Sequence, residues 1–147
     1  MPLPHRRRPA RSPADYRAFV EAFATLAWAS FVVAVLPFAR LAAIARRPVR
    51  RPPPADAARA VRQVAWAIAA AARRAGFRAV CIERGLAAQT MLRRRGIVAD
   101  FHYGLARDPA GALAAHVWVR AGDSDVTGGD QAAAFHEVAV FRPGDPG

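Results

Sequence analysis

The sequence contains no lysine and only one cysteine, Cys81. A single cysteine excludes an intramolecular disulfide and any zinc or iron–sulfur site built from several cysteines. The sequence also lacks a Gly-rich phosphate-binding loop and a Gly-x-Ser-x-Gly motif, so we expect no cofactor and no serine nucleophile of that type. At 147 residues there is room for one substantial domain, and a hydrophobic content of 54% excludes a disordered chain.

The positive charge lies mostly in the first part of the chain. All 22 basic residues are arginine, and the formal net charge is +11. Residues 1–62 hold twelve arginines and three acids, whereas residues 63–147 hold ten arginines and eight acids. The arginines fall on no motif that reads nucleic acid and do not alternate with aromatic residues. We therefore expect no nucleic-acid partner, and favour a contact with anionic lipid or an acidic peptide.

Residues 22–39 form an eighteen-residue run without a formal charge. This run lies within a helix that we expect Asp15 to cap, starting near Tyr16 and ending near Arg47. Pro37 would kink or break that helix. The run has the length of a membrane span, and arginines flank both of its ends. A buried core helix is the leading interpretation, while a membrane span, a membrane-surface helix and a secretory signal stay open.

The pattern changes from helical to alternating along the rest of the chain. Apolar residues at helical spacing predict helices over 56–75 and 82–95, and alternation predicts strands over 97–105, 113–120, 125–127 and 135–141. Helices followed by antiparallel strands indicate an α+β fold. The domain prediction is a disordered basic tail at 1–15, an apolar helix with a Pro-rich linker at 16–54, and the folded core at 55–147.

Cys81 stands at the expected start of the third helix. There the free backbone N–H groups and the positive end of the helix dipole stabilise a thiolate. The same N–H groups can bind an oxyanion, so this position suits acyl transfer. An ordinary small core residue is the alternative interpretation.

His116 lies on the second predicted strand, within an apolar segment. A cysteine at a helix start and a histidine on a later strand are typical of a thiol–imidazole pair. A third group would orient the imidazole; Asp130 is our first candidate, Asp125 the second, and Asp123 is also near. The alternatives are a core histidine with one hydrogen bond, and acids that are solvated turn residues.

Two neighbours of the pair are candidate substrate-binding residues. Arg84 lies about one helical turn after Cys81, and Trp118 shares the strand face of His116. A structural salt bridge, for instance with Glu83, and simple core packing are the respective alternatives. We expect no metal, because the histidines lack metal-ligand spacing.

The segments CIERGLAAQTMLRRRGIVADFHYGL, AAHVWV and VTGGD resemble the transglutaminase-like cysteine protease of lasso-peptide biosynthesis, the microcin-processing type. The matching positions open with Cys-x-x-Arg-x-Leu-Ala, continue to Leu-x-x-Arg-Gly, and end with Ala-His-x-Trp-Val. They are Cys81, Arg84, Leu86, Ala87, Leu92, Arg95, Gly96, Gly104, Ala115, His116, Trp118 and Val119. The resemblance covers roughly the last half of the chain.

This resemblance implies a papain-like α+β fold with Cys81 as nucleophile and His116 as general base. The family acid would fall near residues 128–130, where two positions are glycine, so that either Asp130 completes a triad or the pair acts as a dyad. The implied activity is removal of the leader from a ribosomally made precursor peptide. The implied partners are that precursor, a small leader-binding protein and an ATP-dependent, asparagine-synthetase-like macrolactam cyclase.

Two other functions compete with the peptidase. The same scaffold could catalyse amide cross-linking, or the chain could be a non-catalytic, membrane-associated scaffold that docks a cyclase. We expect a cytoplasmic protein, with membrane association through residues 22–39 as an open alternative.

Overall fold

The computed structural model describes residues 10–146, which form four α-helices, four β-strands and one short 3-10 helix. The α-helices are α1 (Pro13–Val35), α2 (Phe38–Ala45), α3 (Ala57–Ala72) and α4 (Cys81–Arg94). The strands are β1 (Asp100–Arg107), β2 (Leu113–Ala121), β3 (Ser124–Thr127) and β4 (His136–Phe141), and the 3-10 helix is Gly129–Ala134. Residues 1–9, which hold most of the predicted tail, lie outside the described residues.

Helix α1 begins three residues earlier than the sequence predicted. Its N-cap is Ser12, whose hydroxyl accepts the N–H of Asp15 at 3.2 Å. The carboxylate of Asp15 in turn accepts the N–H of Ser12 at 2.9 Å, which completes a capping box. Pro13 at the first helical position has no N–H to leave unpaired, so the earlier start costs no hydrogen bond. Asp15 therefore acts as the third helical residue of the box, and its predicted role as the cap itself is wrong.

The predicted effect of Pro37 is confirmed, because the helix breaks there. Helix α1 ends at Val35, the backbone is extended at Leu36 and Pro37, and α2 starts at Phe38. Proline lacks the N–H that a continuing helix needs, and it disfavours helical backbone at the residue before it. The chain therefore changes direction within the uncharged run.

The four strands form one antiparallel sheet in the order β3-β2-β1-β4. Strands β1 and β2 pair along their whole length, with Gly104 opposite His116 and His102 opposite Trp118. Strand β4 returns to the other edge of β1, and the register shifts between Tyr103 and Gly104. The α+β prediction of helices followed by antiparallel strands is confirmed.

One hydrophobic core joins the helices to the sheet. Helix α1 contributes Leu26 and the small residues Ala22 and Ala29, all fully buried. These belong to the same cluster as the buried residues of α3, α4 and the strands, so the interpretation as a buried core helix holds for one side of α1 only.

Helix α4 lies close against the inner face of the sheet at Gly85. A β-carbon there would come within 2.8 Å of a methyl group of Val117 and 3.2 Å of the Phe101 ring. Further along the helix, the buried amide of Gln89 donates to the carbonyl oxygens of Ala45 at 3.0 Å and Ala99 at 2.9 Å. The approach at Gly85 fixes the first turns of α4 relative to β2, which carries His116, and Gln89 ties the same helix to the end of α2 and to the residue before β1.

Candidate active site

Cys81 is the first residue of α4 and is half-buried. The N-cap is Val80, whose N–H donates to the Glu83 carboxylate at 3.1 Å. Glu83 is fully buried, and its second oxygen lies 3.2 Å from Nε of Arg78. This half of a capping box fixes the first turn, whose own N–H groups have no partner within the helix.

Arg84 braces the segment that leads into α4. Its Nε donates to the carbonyl oxygen of Ala79 at 2.7 Å, two residues before Cys81. The proposed salt bridge with Glu83 is absent from the described residues, where the ionic partner of Glu83 is Arg78. Arg84 also lines the cleft beside Cys81, as a substrate-binding residue would need to.

His116 lies near the start of β2, and only 6% of it is exposed. Its Nε2 is 2.8 Å from the carbonyl oxygen of Gly128. A carbonyl oxygen only accepts, so Nε2 carries the hydrogen and Nδ1 is the nitrogen that can take up a proton. This tautomer is the one that a base acting through Nδ1 requires.

Aromatic rings surround the His116 imidazole on the outer side of the sheet. Trp118 is stacked near it with ring centroids 5.9 Å apart, and Phe135 lies at 4.9 Å. His102 stacks on Trp118 at 5.4 Å and contacts the Glu137 carboxylate through Nδ1 at 2.7 Å. The rings exclude water from one side of the imidazole, and Trp118 acts here by packing on His116.

The thiol and the imidazole share one cleft of about 430 Å³. The lining residues come from the start of α4, the start of β2 and the segment after β3: Val80, Cys81, Arg84, Ala115, His116, Thr127, Gly128, Asp130, Gln131 and Phe135. Four of the five predicted site residues are therefore brought together. Trp118, the fifth, is buried behind His116 and does not line the cleft.

This juxtaposition of a helix-start cysteine with a strand histidine agrees with the comparison to known families. The model of the transglutaminase-like superfamily matches residues 22–140, which is most of the chain. The chain belongs to the transglutaminase-like superfamily. Neither a curated protein nor a solved structure matched it. Membership of this superfamily implies cysteine-dependent peptidase or acyl-transfer chemistry, with the substrate unspecified.

The acids of this transglutaminase-like domain are arranged differently from a carboxylate triad. Asp130 lines the cleft, but the group bonded to Nε2 of His116 is the Gly128 carbonyl. Asp125 instead contacts Arg120, with Oδ1 at 3.1 Å from Nε. Asp130 as the third catalytic residue stays a prediction, and in this structure a main-chain oxygen holds the imidazole.

Sequence reasoning assigned no site role to six of the ten cleft residues, and three of these six lie in one segment. They are Gly128, Gln131 and Phe135, all in the segment between β3 and β4. The one signal for them was the Gly-Gly pair, because Gly128 adopts a φ of +70° that side chains rarely tolerate. A six-residue 3-10 helix follows, and its composition, GDQAAA, gives no periodic signal.

Proposed function

We propose that this protein is a cysteine peptidase that removes the leader from a ribosomally made, lasso-type precursor peptide. The observation that carries the proposal is the shared cleft, in which Cys81 begins α4 and His116 is oriented through Nε2. Of the residues that resemble the lasso-peptide protease, Cys81, Arg84, Ala115 and His116 line this same cleft, and Trp118 packs behind His116. The family assignment supports the chemistry, and the sequence motif supports the substrate class.

The first half-reaction forms a thioester. The Cys81 thiolate attacks the scissile carbonyl carbon, and the N–H groups at the start of α4 are donors for the oxyanion. The imidazolium of His116 then gives its Nδ1 proton to the leaving amine, and the C–N bond breaks. The core peptide leaves with a new amino terminus, and the leader stays bound to sulfur.

Water completes the second half-reaction. Nδ1 of His116 takes a proton from water as its oxygen attacks the thioester, and the C–S bond breaks. The leader departs as a carboxylic acid, and the Cys81 thiolate and the His116 imidazolium are restored for the next turnover. Over both steps one water is consumed per peptide bond.

The remaining site residues have supporting roles in this proposal. The guanidinium of Arg84 can donate to substrate carbonyls at the cleft wall while its Nε holds Ala79. Trp118 limits water at the rear of the imidazole. We place the reaction in the cytoplasm, with a small leader-binding protein that delivers the precursor and an ATP-dependent macrolactam cyclase that closes the ring.

Mass spectrometry of the reaction with the cognate precursor and the leader-binding protein tests this function. We expect two fragments whose masses sum to that of the precursor plus one water. The thioester would also serve amide cross-linking, which the superfamily assignment allows equally. A single joined product, lighter than its two reactants by the displaced group, would favour cross-linking, and an unchanged precursor would favour the scaffold.

A further inference from the structure

Helix α1 is apolar on both sides, and the rest of the described chain, residues 10–146, covers only one of them. Its inner side carries the fully buried Ala22, Leu26 and Ala29. Its outer side exposes large apolar side chains, among them Tyr16 at 63%, Val20 at 65% and Phe31 at 66%. We define the outer face by Tyr16, Val20, Phe23, Phe31 and Val35, which recur at helical spacing on the side opposite the core.

The outer face is long and almost without hydrogen-bonding groups. From Tyr16 to Val35 it extends about 28 Å at 1.5 Å per residue. The Tyr16 hydroxyl is the only side-chain polar group among its defining residues. Interfaces between proteins carry roughly one hydrogen bond per 100–200 Å² of buried area, so a protein partner would find few donors or acceptors here. The hydrocarbon part of a lipid leaflet needs no hydrogen-bond donors or acceptors on the helix.

The charges next to the outer face are positive. Arg17 is exposed in the first turns of α1, Arg40 is exposed on α2 five residues after Val35, and the Arg74 guanidinium lies 5.6 Å from the Phe19 ring. The two carboxylates of α1 are already engaged, Asp15 with Gln63 and Glu21 with Arg95. Arginines around an apolar helix face complement anionic lipid headgroups, to which this chain of net charge +11 is also attracted as a whole.

Helix α1 has the length and apolar composition of a membrane span, yet its inner side argues against spanning. A third of its most apolar stretch is buried in the core, and Glu21 ties it to α4 through Arg95 at 2.6 Å. Insertion across a bilayer would expose that core. We propose that the outer face of α1 docks this protein flat on the surface of an anionic lipid bilayer, with the helix in the plane of the interface.

Flotation of the full-length protein with vesicles tests this proposal. The probes are vesicles of equimolar phosphatidylglycerol and phosphatidylcholine, and vesicles of phosphatidylcholine alone. We expect the protein to float with the anionic vesicles and the affinity to fall at least about tenfold in Phe31→Glu. Leu113→Glu is the matched control, because Leu113 is 65% exposed on β2 and the charge change is the same. Phe31→Gln repeats the test without added charge, and the thermal midpoint of each variant verifies folding.

Several outcomes would overturn the proposal. They are the absence of protein from the anionic vesicle fraction, equal binding by Phe31→Glu and wild type, or equal loss in Leu113→Glu. Light scattering tests whether a second copy of this chain occupies the outer face. A pull-down tests whether the leader-binding protein does. A dimer, or a complex with that protein, that Phe31→Glu abolishes while vesicle binding persists would assign the face to a protein partner instead.

Discussion

The imidazole of His116 is held by a main-chain oxygen at the point where related chemistry uses a carboxylate. Gly128 presents its carbonyl to Nε2 at 2.8 Å from a left-handed backbone conformation. A neutral acceptor fixes the tautomer and the ring orientation, as an acid would, but adds no full negative charge to stabilise the imidazolium. In this site, the group that orients the imidazole therefore does not also supply a negative charge.

Removal of the Asp130 carboxylate, which lines the cleft, should have little effect. In Asp130→Asn we expect kcat/KM to stay within about threefold of wild type, the effect of roughly 0.5 kcal/mol that surface substitutions have. In a triad that depends on its acid, the same change lowers kcat by about 10⁴-fold. Steady-state kinetics on the precursor distinguishes the two. A loss of two orders of magnitude or more would return Asp130 to the role of third catalytic residue.

Substitution of Gly128 should reduce activity far more than substitution of Asp130. In Gly128→Ala the new β-carbon would lie 2.6 Å from the Val117 carbonyl oxygen and 3.0 Å from Nε2 of His116. We expect a loss of activity of at least about tenfold as the imidazole shifts, consistent with the cost of small misplacements.

Gly122→Ala is the matched control for that variant. Gly122 has a φ of +59°, so alanine there meets the same backbone strain, but no atom of the described residues lies within 4 Å of the added β-carbon. It should lose stability without a comparable loss of activity, as urea unfolding and kinetics would measure. Equal activity losses in the two variants would show that the effect is backbone strain alone.

At the scale of elements, an ion pair joins α1 to α4. Glu21 contacts Arg95 at 2.6 Å and Arg94 at 3.4 Å. Burial acts to raise the pKa of Glu21, but the hydrogen bonds and charges of the two arginines outweigh it and hold the pKa below its usual value. The pair thereby stabilises the folded chain whenever Glu21 is ionised.

Glu21→Gln should lower the free energy of unfolding by about 1–2 kcal/mol at neutral pH. The full difference in unfolding free energy between wild type and Glu21→Gln should be present above the pKa of an unfolded glutamate, about 4.3. It should disappear as the pH falls through the lower pKa of Glu21 in the folded state. Urea unfolding over this pH range measures it. Adding Arg95→Gln to the Glu21→Gln variant should lower the free energy of unfolding only slightly further. A difference between wild type and Glu21→Gln that does not change with pH would contradict the role of the ion pair.

The elements with strong local signals could be predicted from the sequence, and the irregular ones could not. Periodic apolar residues located α3 and α4 to within a few residues, and alternation located the four strands. The segment Gly129–Ala134 had no period, so its 3-10 helix and the cleft residue Gln131 were missed. The pairing of Nε2 with a backbone oxygen depends on tertiary placement, which no side-chain pattern encodes.

At the scale of the whole molecule, the uncharged run and the arginines that flank it meet at the surface of helix α1. Helix α1 packs its inner side into the core that also supports the cleft, while its outer face and the flanking arginines stay at the surface. The sequence could predict that residues 22–39 are apolar, but not which half of the helix is buried, because apolar residues surround the helix. The cleft that holds Cys81 and the proposed lipid contact thus share the core into which α1 packs.

The central claim is that Cys81 is the nucleophile of a peptidase. The most direct measurement compares wild type with Cys81→Ala on the cognate precursor, in the presence of the leader-binding protein, with fragments quantified by mass spectrometry. We expect no leader removal by the variant and an unchanged thermal midpoint, since Cys81 is only half-buried. Leader removal by Cys81→Ala at the wild-type rate would contradict the account.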